Sequence, residues 1–83
     1  MANAKIVMYS MDGCEPCMEA KSQLHRLNVG FTECNIDRQD SCMNAFNRLG
    51  GTGTPLIFVD NTRIDGYTES SLNQALKRHG YIK

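Results

Sequence analysis

The spacing of hydrophobic positions changes along this chain, and each change marks a predicted element. Residues 5–9 are rich in residue types that favour strands, and a polar turn over residues 10–13 follows them. From Glu15 onward, apolar residues recur at intervals of three and four, at Cys17, Ala20, Leu24 and Leu27. This spacing predicts a helix that begins at or next to Cys14. The chain therefore opens with a strand, a turn and a helix.

The next segment predicts a second strand and a second helix. The strand covers residues 31–36, and we expect Cys34 and Ile36 to face the core. Because a helix connects the first two strands, they should run parallel. The second helix has apolar positions at Cys42, Ala45, Phe46 and Leu49, with Asp37, Asp40 and Ser41 as competing N-cap residues.

The last third of the chain predicts a hairpin and a final helix. A strand over residues 56–59 leads through a tight turn at Asp60 and Asn61 into a short strand at residues 63–64. Thr68 or Ser70 can then cap a helix that ends at Gly80. The predicted order is β-α-β-α-β-β-α, an α/β fold in which three helices cover a four-stranded mixed sheet. Its length favours one domain over residues 1–83.

Charge and composition exclude several classes of function. The formal net charge is zero and the sequence has no basic tract, which argues against nucleic-acid or membrane recognition through bulk charge. Residues 1–5 lack a charged segment followed by a long apolar run, so we expect neither a signal peptide nor a transmembrane helix. We therefore expect a monomeric cytoplasmic protein. In that reducing compartment its four cysteines should be thiols.

The chemistry of the chain centres on Cys14-Glu15-Pro16-Cys17. At a helix N-terminus, unpaired backbone N–H groups and the positive end of the helix dipole favour the reactive thiolate form of Cys14. Pro16 fits the first helical turn, where no N–H is required. Cys17 lies one turn further on the apolar face, so it should be more buried and act second. The pair can therefore exchange two electrons with a partner's disulfide.

The two other cysteines leave alternatives open. A zinc site or a static bridge is the alternative for Cys14 and Cys17, but zinc would favour a second Cys-x-x-Cys. Cys34 and Cys42 are instead separated by seven residues. We expect them to be small, buried thiols of the core. A second redox pair or two sites of glutathionylation are the alternatives.

Three motifs in the correct order resemble those of glutaredoxins. They are the Cys-x-x-Cys at the first helix, Thr54-Pro55 before the third strand, and Ile64-x-Gly66-Tyr67 after the hairpin. The resemblance covers essentially the whole chain and implies a thioredoxin fold with a cis Pro55. It also implies that the Thr54 backbone pairs with the substrate's cysteine residue, that Cys14 attacks the disulfide, and that Cys17 resolves the mixed disulfide.

The resemblance further implies a substrate-binding set and a co-substrate. The predicted set is Tyr9, Glu15, Thr54, Pro55, Gly66, Tyr67 and Thr68. Glutathione is the implied co-substrate, with no tightly bound cofactor and no metal. The sequence departs from the family at Met11, where glutaredoxins usually carry a lysine. Negative charge from Asp12, Glu15, Asp65 and Glu69 should also make the thiol less acidic and oppose the anionic tripeptide.

The resemblance to glutaredoxins, together with these departures from it, implies three alternative functions. The first is a dithiol glutaredoxin that reduces protein disulfides or glutathione mixed disulfides. The second is a glutaredoxin-like redoxin, which takes electrons from thioredoxin reductase and donates them to ribonucleotide reductase; the missing lysine favours it. The third is a carrier of an iron–sulfur cluster held between two protomers by Cys14 and glutathione, which the proline of the spacer disfavours.

Overall fold

A computed structural model describes residues 5–83, which form seven elements in the predicted order. The strands are β1 (Ile6–Ser10), β2 (Thr32–Asn35), β3 (Leu56–Val59) and β4 (Thr62–Asp65), and the helices are α1 (Glu15–Arg26), α2 (Asp40–Arg48) and α3 (Glu69–Arg78). None of the helices in this part of the chain is long and apolar enough to span a membrane. The first four residues of the predicted domain lie outside the described part.

The four strands form one mixed sheet in the order β2-β1-β3-β4. Strand β1 pairs with β2 in parallel, with Tyr9 opposite Cys34. Strand β3 runs antiparallel to both β1 and β4. The predicted parallel pair, hairpin and mixed sheet are therefore confirmed. This topology leaves the carboxyl end of β1, where the Cys-x-x-Cys turn begins, in the middle of the sheet.

The sheet separates two hydrophobic clusters. Side chains alternate between its faces, so Met8 joins the cluster shared with α1 and α3, whereas Tyr9 joins the cluster under α2. Leu24 and Leu72, each fully buried, bring α1 and α3 into the first cluster. As predicted, Cys34 and Ile36 contribute to the second cluster. Helix α1 is thus packed along its whole apolar stripe, which fixes the position of its N-terminus.

Most of the predicted turns and caps are confirmed, and one is wrong. Thr68 caps α3, and Asp60 adopts a left-handed conformation (φ 54°) in the two-residue hairpin turn. The N-cap residue of α2 is Gln39, which makes no side-chain capping bond. Asp37 does not cap this helix because its carboxylate accepts the backbone N–H of Asp12 instead, at 2.9 Å.

Candidate active site

Cys14 is the N-cap residue of α1, and its sulfur takes the place of a capping oxygen. The backbone of Cys14 is extended (φ −86°, ψ 102°), and its Sγ accepts the N–H of Cys17 at 3.2 Å. Pro16 lies in the first turn, as predicted. Cys17 is 1% exposed, whereas Cys14 is only partly buried. The two sulfurs form a disulfide with their Cα atoms 5.3 Å apart. A partner can therefore reach the sulfur of Cys14 more readily than that of Cys17.

The segment before β3 reaches the same sulfur from the other side. The Thr54 hydroxyl donates a hydrogen bond to Sγ of Cys14 at 3.4 Å. The Thr54–Pro55 peptide bond is cis, as the resemblance implied. The sequence had suggested a role only for the Thr54 backbone, so the side-chain contact is an addition. Two donors from different parts of the chain thus converge on one sulfur atom.

The end of β4 is joined to this segment through Gly66. Its left-handed backbone (φ 85°) suits glycine, and its N–H donates to the carbonyl of Pro55 at 2.9 Å. Thr68 accepts the N–H of Ser71 at 3.1 Å, so its hydroxyl is used to cap α3. The structure therefore brings Thr54, Pro55 and Gly66 together, and the Thr54 hydroxyl joins this group to Cys14. These are three of the predicted substrate-binding residues.

Tyr67 anchors a buried polar network that the sequence analysis missed. Its hydroxyl donates to Oε1 of Gln23, and Nε2 of Gln23 donates to Oδ1 of Asn73 at 2.8 Å. Gln23 is only 1% exposed. Burial is the main reason why the pKa of Tyr67 is raised above its ordinary value, and the nearby carboxylate of Glu69 adds to this effect. The available signal was the position of Gln23 three residues after Ala20, on the apolar stripe of α1.

Tyr9 and Glu15 do not join that group. Tyr9 packs under α2, with its ring centroid 6.2 Å from that of Phe46 and 6.5 Å from that of Phe58. Its contacts are those of a core residue, and the structure does not bring it to Cys14. Glu15 is an exposed residue at the first position of α1. It is adjacent to Cys14 in the chain, but its side chain makes no hydrogen bond or ion pair among residues 5–83.

Arginines pair with most of the acidic side chains that the sequence analysis expected around the thiols. Three of the four acidic residues are paired, as Asp12–Arg38 at 3.0 Å, Asp65–Arg63 at 3.1 Å and Glu69–Arg26 at 3.6 Å. Hydrogen bonds from Arg38 and Asn35 lower the pKa of Asp12 below its ordinary value. A cation therefore offsets the expected negative charge at three of the four positions, whereas Glu15 keeps the unpaired charge that the sequence predicted next to Cys14. Arg38 and Arg26 were missed because they are distant in sequence from Asp12 and Glu69. Arg63 lies only two residues from Asp65 in β4, so that pair could have been predicted from the sequence.

A groove of about 450 Å³ runs beside Cys14 towards the segment between β2 and α2. Met11 and Met18 stand at its rim, 41% and 53% exposed. Lys21 and Arg38 give its lining two cations, while Asp12 and Glu33 give two carboxylates; Ser10, Gly13, Cys17, Asn35 and Gln39 complete it. The groove therefore offers both apolar surface and charged groups of both signs beside the reactive sulfur.

The other two cysteines also form a disulfide, between Cys34 in β2 and Cys42 in the first turn of α2. Their Cα atoms are 5.5 Å apart, within the usual range for such bonds. The prediction of four thiols, with Cys34 and Cys42 as independent core residues, is therefore wrong. Cys42 is 1% exposed, which agrees with the prediction that it lies in the core. The sequence spacing could not show that the first turn of α2 packs against β2.

Comparison with known proteins identifies relatives of the chain. The family model described as Glutaredoxin matches residues 6–64. A probable glutaredoxin of Synechocystis is 35% identical over 66 residues, which cover 77% of this chain and 75% of that protein. Glutaredoxin 1 of Rickettsia prowazekii is 31% identical over 64 residues, covering 74% of this chain and 67% of that protein. The chain spans less than two thirds of the length of several other curated relatives.

Among solved structures, the chain is similar to the glutaredoxin-like protein NrdH-redoxin from Escherichia coli. The TM-score is 0.75 with 20% sequence identity, and the match covers 83% of this chain and 91% of that one. At this identity the comparison shows a shared fold. Together with the sheet order, it establishes the thioredoxin-like architecture that the element order had predicted.

Proposed function

We propose that this chain, which belongs to the glutaredoxin family of thiol–disulfide oxidoreductases, reduces protein disulfides and glutathione mixed disulfides with electrons from glutathione. The observation that carries the proposal is the environment of Cys14. Its sulfur caps α1, accepts hydrogen bonds from Cys17 and Thr54, and borders an open groove. A sulfur held by two donors at a helix N-terminus is favoured as a thiolate once the disulfide is reduced.

The first half of the reaction forms a mixed disulfide. The thiolate of Cys14 attacks one sulfur of the substrate disulfide, and the other substrate sulfur leaves as a thiolate and takes up a proton. The backbone of Thr54, next to the cis Pro55, is available to align the substrate chain, while Met11 and Met18 offer apolar contacts beside it. The N–H of Cys17 and the hydroxyl of Thr54 hold the nucleophile in position throughout this step.

The second half uses Cys17 to release the substrate. As a thiolate it attacks the sulfur of Cys14, and the bound substrate leaves with its thiol restored. The product is the Cys14–Cys17 disulfide of the present structure, with Cα atoms 5.3 Å apart. Two glutathione molecules then return the pair to the dithiol and form one glutathione disulfide. The cycle needs no resident cofactor, with glutathione as the co-substrate.

A coupled assay tests this proposal. The protein is supplied with a disulfide substrate and either glutathione with glutathione reductase or thioredoxin reductase alone, and oxidation of NADPH is followed. We expect turnover with the glutathione system and much slower turnover with thioredoxin reductase. Turnover that is faster with thioredoxin reductase than with the glutathione system would overturn the choice of glutathione. Loss of activity in Cys14→Ser with either reductant would still identify the nucleophile.

The second candidate is a redoxin reduced by thioredoxin reductase, and Met11 favours it. This side chain is 41% exposed at the position where glutaredoxins usually carry a lysine, so a cation for the glutathione carboxylate is missing there. Met11→Lys should therefore raise turnover with glutathione. Met11→Gln is the matched control, because it changes polarity at similar size without adding charge. If both variants turn over glutathione like the wild type, position 11 does not set the reductant.

A further inference from the structure

The Cys34–Cys42 disulfide closes a short segment at the edge of the active-site groove. It joins β2 to α2 across a sequence separation of 8 residues, so residues 35–41 form a loop that is tied at both ends. Cys42 is 1% exposed in the cluster under α2, whereas Cys34 is partly exposed. Of the two sulfur-bearing residues, Cys34 is thus the one that solvent and small thiols can reach.

The closed loop contacts the active-site turn at two residues. The N–H of Ile36 donates to the carbonyl of Ser10 at 2.8 Å, and three further hydrogen bonds involve Asp12. Its Oδ1 accepts hydrogen bonds from Nδ2 of Asn35 at 3.1 Å and Nε of Arg38 at 3.0 Å. In the opposite direction, the N–H of Asp12 donates to Oδ2 of Asp37 at 2.9 Å. Asp12 stands two residues before Cys14. The position of this turn and the neutralisation of its carboxylate both depend on the loop that the disulfide constrains.

We propose that Cys34–Cys42 is a second redox-active pair, reversibly reduced by small thiols, and that its state controls the reactivity of Cys14 through the loop at residues 35–41. In the oxidised state the loop keeps Arg38 on Asp12. Reduction removes one end of the constraint and lets Arg38 separate from Asp12, so that an unpaired carboxylate near Cys14 disfavours its thiolate. Reduction of the second pair should therefore lower the reactivity of Cys14. This inference goes beyond the proposed function, which uses only Cys14 and Cys17.

The exchange reaction balances with two equivalents of a small thiol. A thiolate attacks Sγ of Cys34, the Cys34–Cys42 bond breaks, and Cys42 leaves with the electron pair and is protonated. A second thiolate then attacks the sulfur of the first, which releases Cys34 as a thiol and forms the small-molecule disulfide. After reduction the thiol of Cys42 has a hydrogen-bond acceptor, because Oε1 of Gln39 lies 3.2 Å from Sγ of Cys42 and can accept its S–H.

The redox step is tested with the double variant Cys14→Ser/Cys17→Ser, which isolates the second pair and lacks the proposed function. The full chain is equilibrated without oxygen in glutathione buffers of graded ratio, and free thiols are alkylated and counted by mass spectrometry. We expect two thiols to appear together as the reducing ratio is raised by roughly 100-fold around a midpoint. Two thiols in every buffer, or none even with excess dithiothreitol, would overturn the proposal.

The coupling is tested in Cys17→Ser, where Cys14 is the single catalytic thiol. Its rate of reaction with iodoacetamide is compared between molecules whose second pair is oxidised and molecules whose second pair is reduced, which differ in mass after labelling. We expect Cys14 to react about fivefold more slowly when the pair is reduced. Arg38→Gln should also slow the reaction of Cys14 when the second pair is oxidised, because the substitution removes the same cation from Asp12. Equal rates in the two redox states would overturn the control of Cys14 by this pair.

Discussion

The hydroxyl of Thr54 lies 3.4 Å from the sulfur of Cys14 and donates a hydrogen bond to it, although the two residues are 40 positions apart. This contact joins the loop before β3 to the start of α1. The same sulfur also accepts a hydrogen bond from the backbone N–H of Cys17 at 3.2 Å, so the Thr54 hydroxyl is its second donor. The site therefore has two fixed donors where negative charge develops on reduction.

Replacing Thr54 tests the contribution of that donor. Thr54→Val keeps the shape of the side chain but removes the hydroxyl, while Thr54→Ser keeps the hydroxyl. A hydrogen bond to a charged group contributes about 1.5–3 kcal/mol, and a long bond to sulfur should lie at the lower end of that range. We expect the pH midpoint of Cys14 alkylation to rise by roughly one unit in the valine variant. An unchanged midpoint in Thr54→Val would mean that the hydroxyl does not act on the thiolate.

The difference in burial between Cys14 and Cys17 predicts a division of labour. Cys14→Ser should abolish all exchange activity. Cys17→Ser should lose the reduction of protein disulfides but keep the removal of glutathione from mixed disulfides, because external glutathione can resolve that intermediate. Limiting iodoacetamide applied to the reduced protein, followed by peptide mass spectrometry, measures which thiol reacts first. Preferential labelling of Cys17, which is 1% exposed in the oxidised structure, would reverse the assignment.

Local patterns were sufficient to predict the fold and the position of the reactive cysteine. The three-and-four spacing after Glu15 determines where α1 begins, and Thr54-Pro55 lies directly before a strongly hydrophobic strand. Both features are contained in a few consecutive residues. For that reason Cys14 at the helix start and Pro55 at the strand start could be predicted before any coordinates were known.

The electrostatics and the second disulfide could not be predicted in the same way. Arg38 reaches Asp12 across 26 positions, and Cys42 meets Cys34 only because α2 packs against β2. Such pairings depend on tertiary geometry, which cannot be predicted from local periodicity. Asp37 illustrates the point, since its residue type favours an N-cap but its carboxylate bonds to the backbone of the active-site turn.

The buried network around Gln23 makes a prediction about stability. Tyr67→Phe removes the donor to Oε1 of Gln23 and leaves this buried oxygen unpaired, which should lower the free energy of unfolding by about 1–3 kcal/mol. Gln23→Met should be destabilising as well, since it removes the donor to Asn73. Because the two residues share one bond, the losses should not add in the double variant. Urea unfolding of all four proteins gives this coupling, and strict additivity would contradict the network.

The same variants separate a structural role of Tyr67 from a role in substrate binding. Tyr67 was predicted as a substrate-binding residue, yet its hydroxyl is already used inside the protein. We therefore expect Tyr67→Phe to keep its KM for a glutathione mixed disulfide while losing stability. A raised KM with unchanged stability would instead indicate direct contact with the substrate. Thr68→Ser is a suitable control, because serine can cap α3 in the same way.

The acid sensitivity of the fold should depend in part on Glu33. Its carboxylate accepts a hydrogen bond from the Ser10 hydroxyl at 2.6 Å and pairs with Lys21 at 3.2 Å. The bond from Ser10 is the largest cause of a pKa below the ordinary 4.5, and Lys21 adds to it against the opposing effect of partial burial. Because the folded-state pKa is depressed, this contribution to stability is complete above about pH 4.5. It is lost as the pH falls through the lower folded-state value.

Glu33→Gln should therefore remove part of the acid dependence of stability. The free energy of unfolding, measured by urea titration at a series of pH values, should decline less steeply below about pH 4.5 in the variant than in the wild type. Ser10→Ala should have a similar but smaller effect, because Lys21 remains to hold the carboxylate. Some acid dependence should persist in both variants, since the pKa of Asp12 is also lowered, by its bonds from Arg38 and Asn35. Parallel curves for the wild type and Glu33→Gln would show that the link from β1 to β2 through Ser10 and Glu33 contributes no pH-dependent stability.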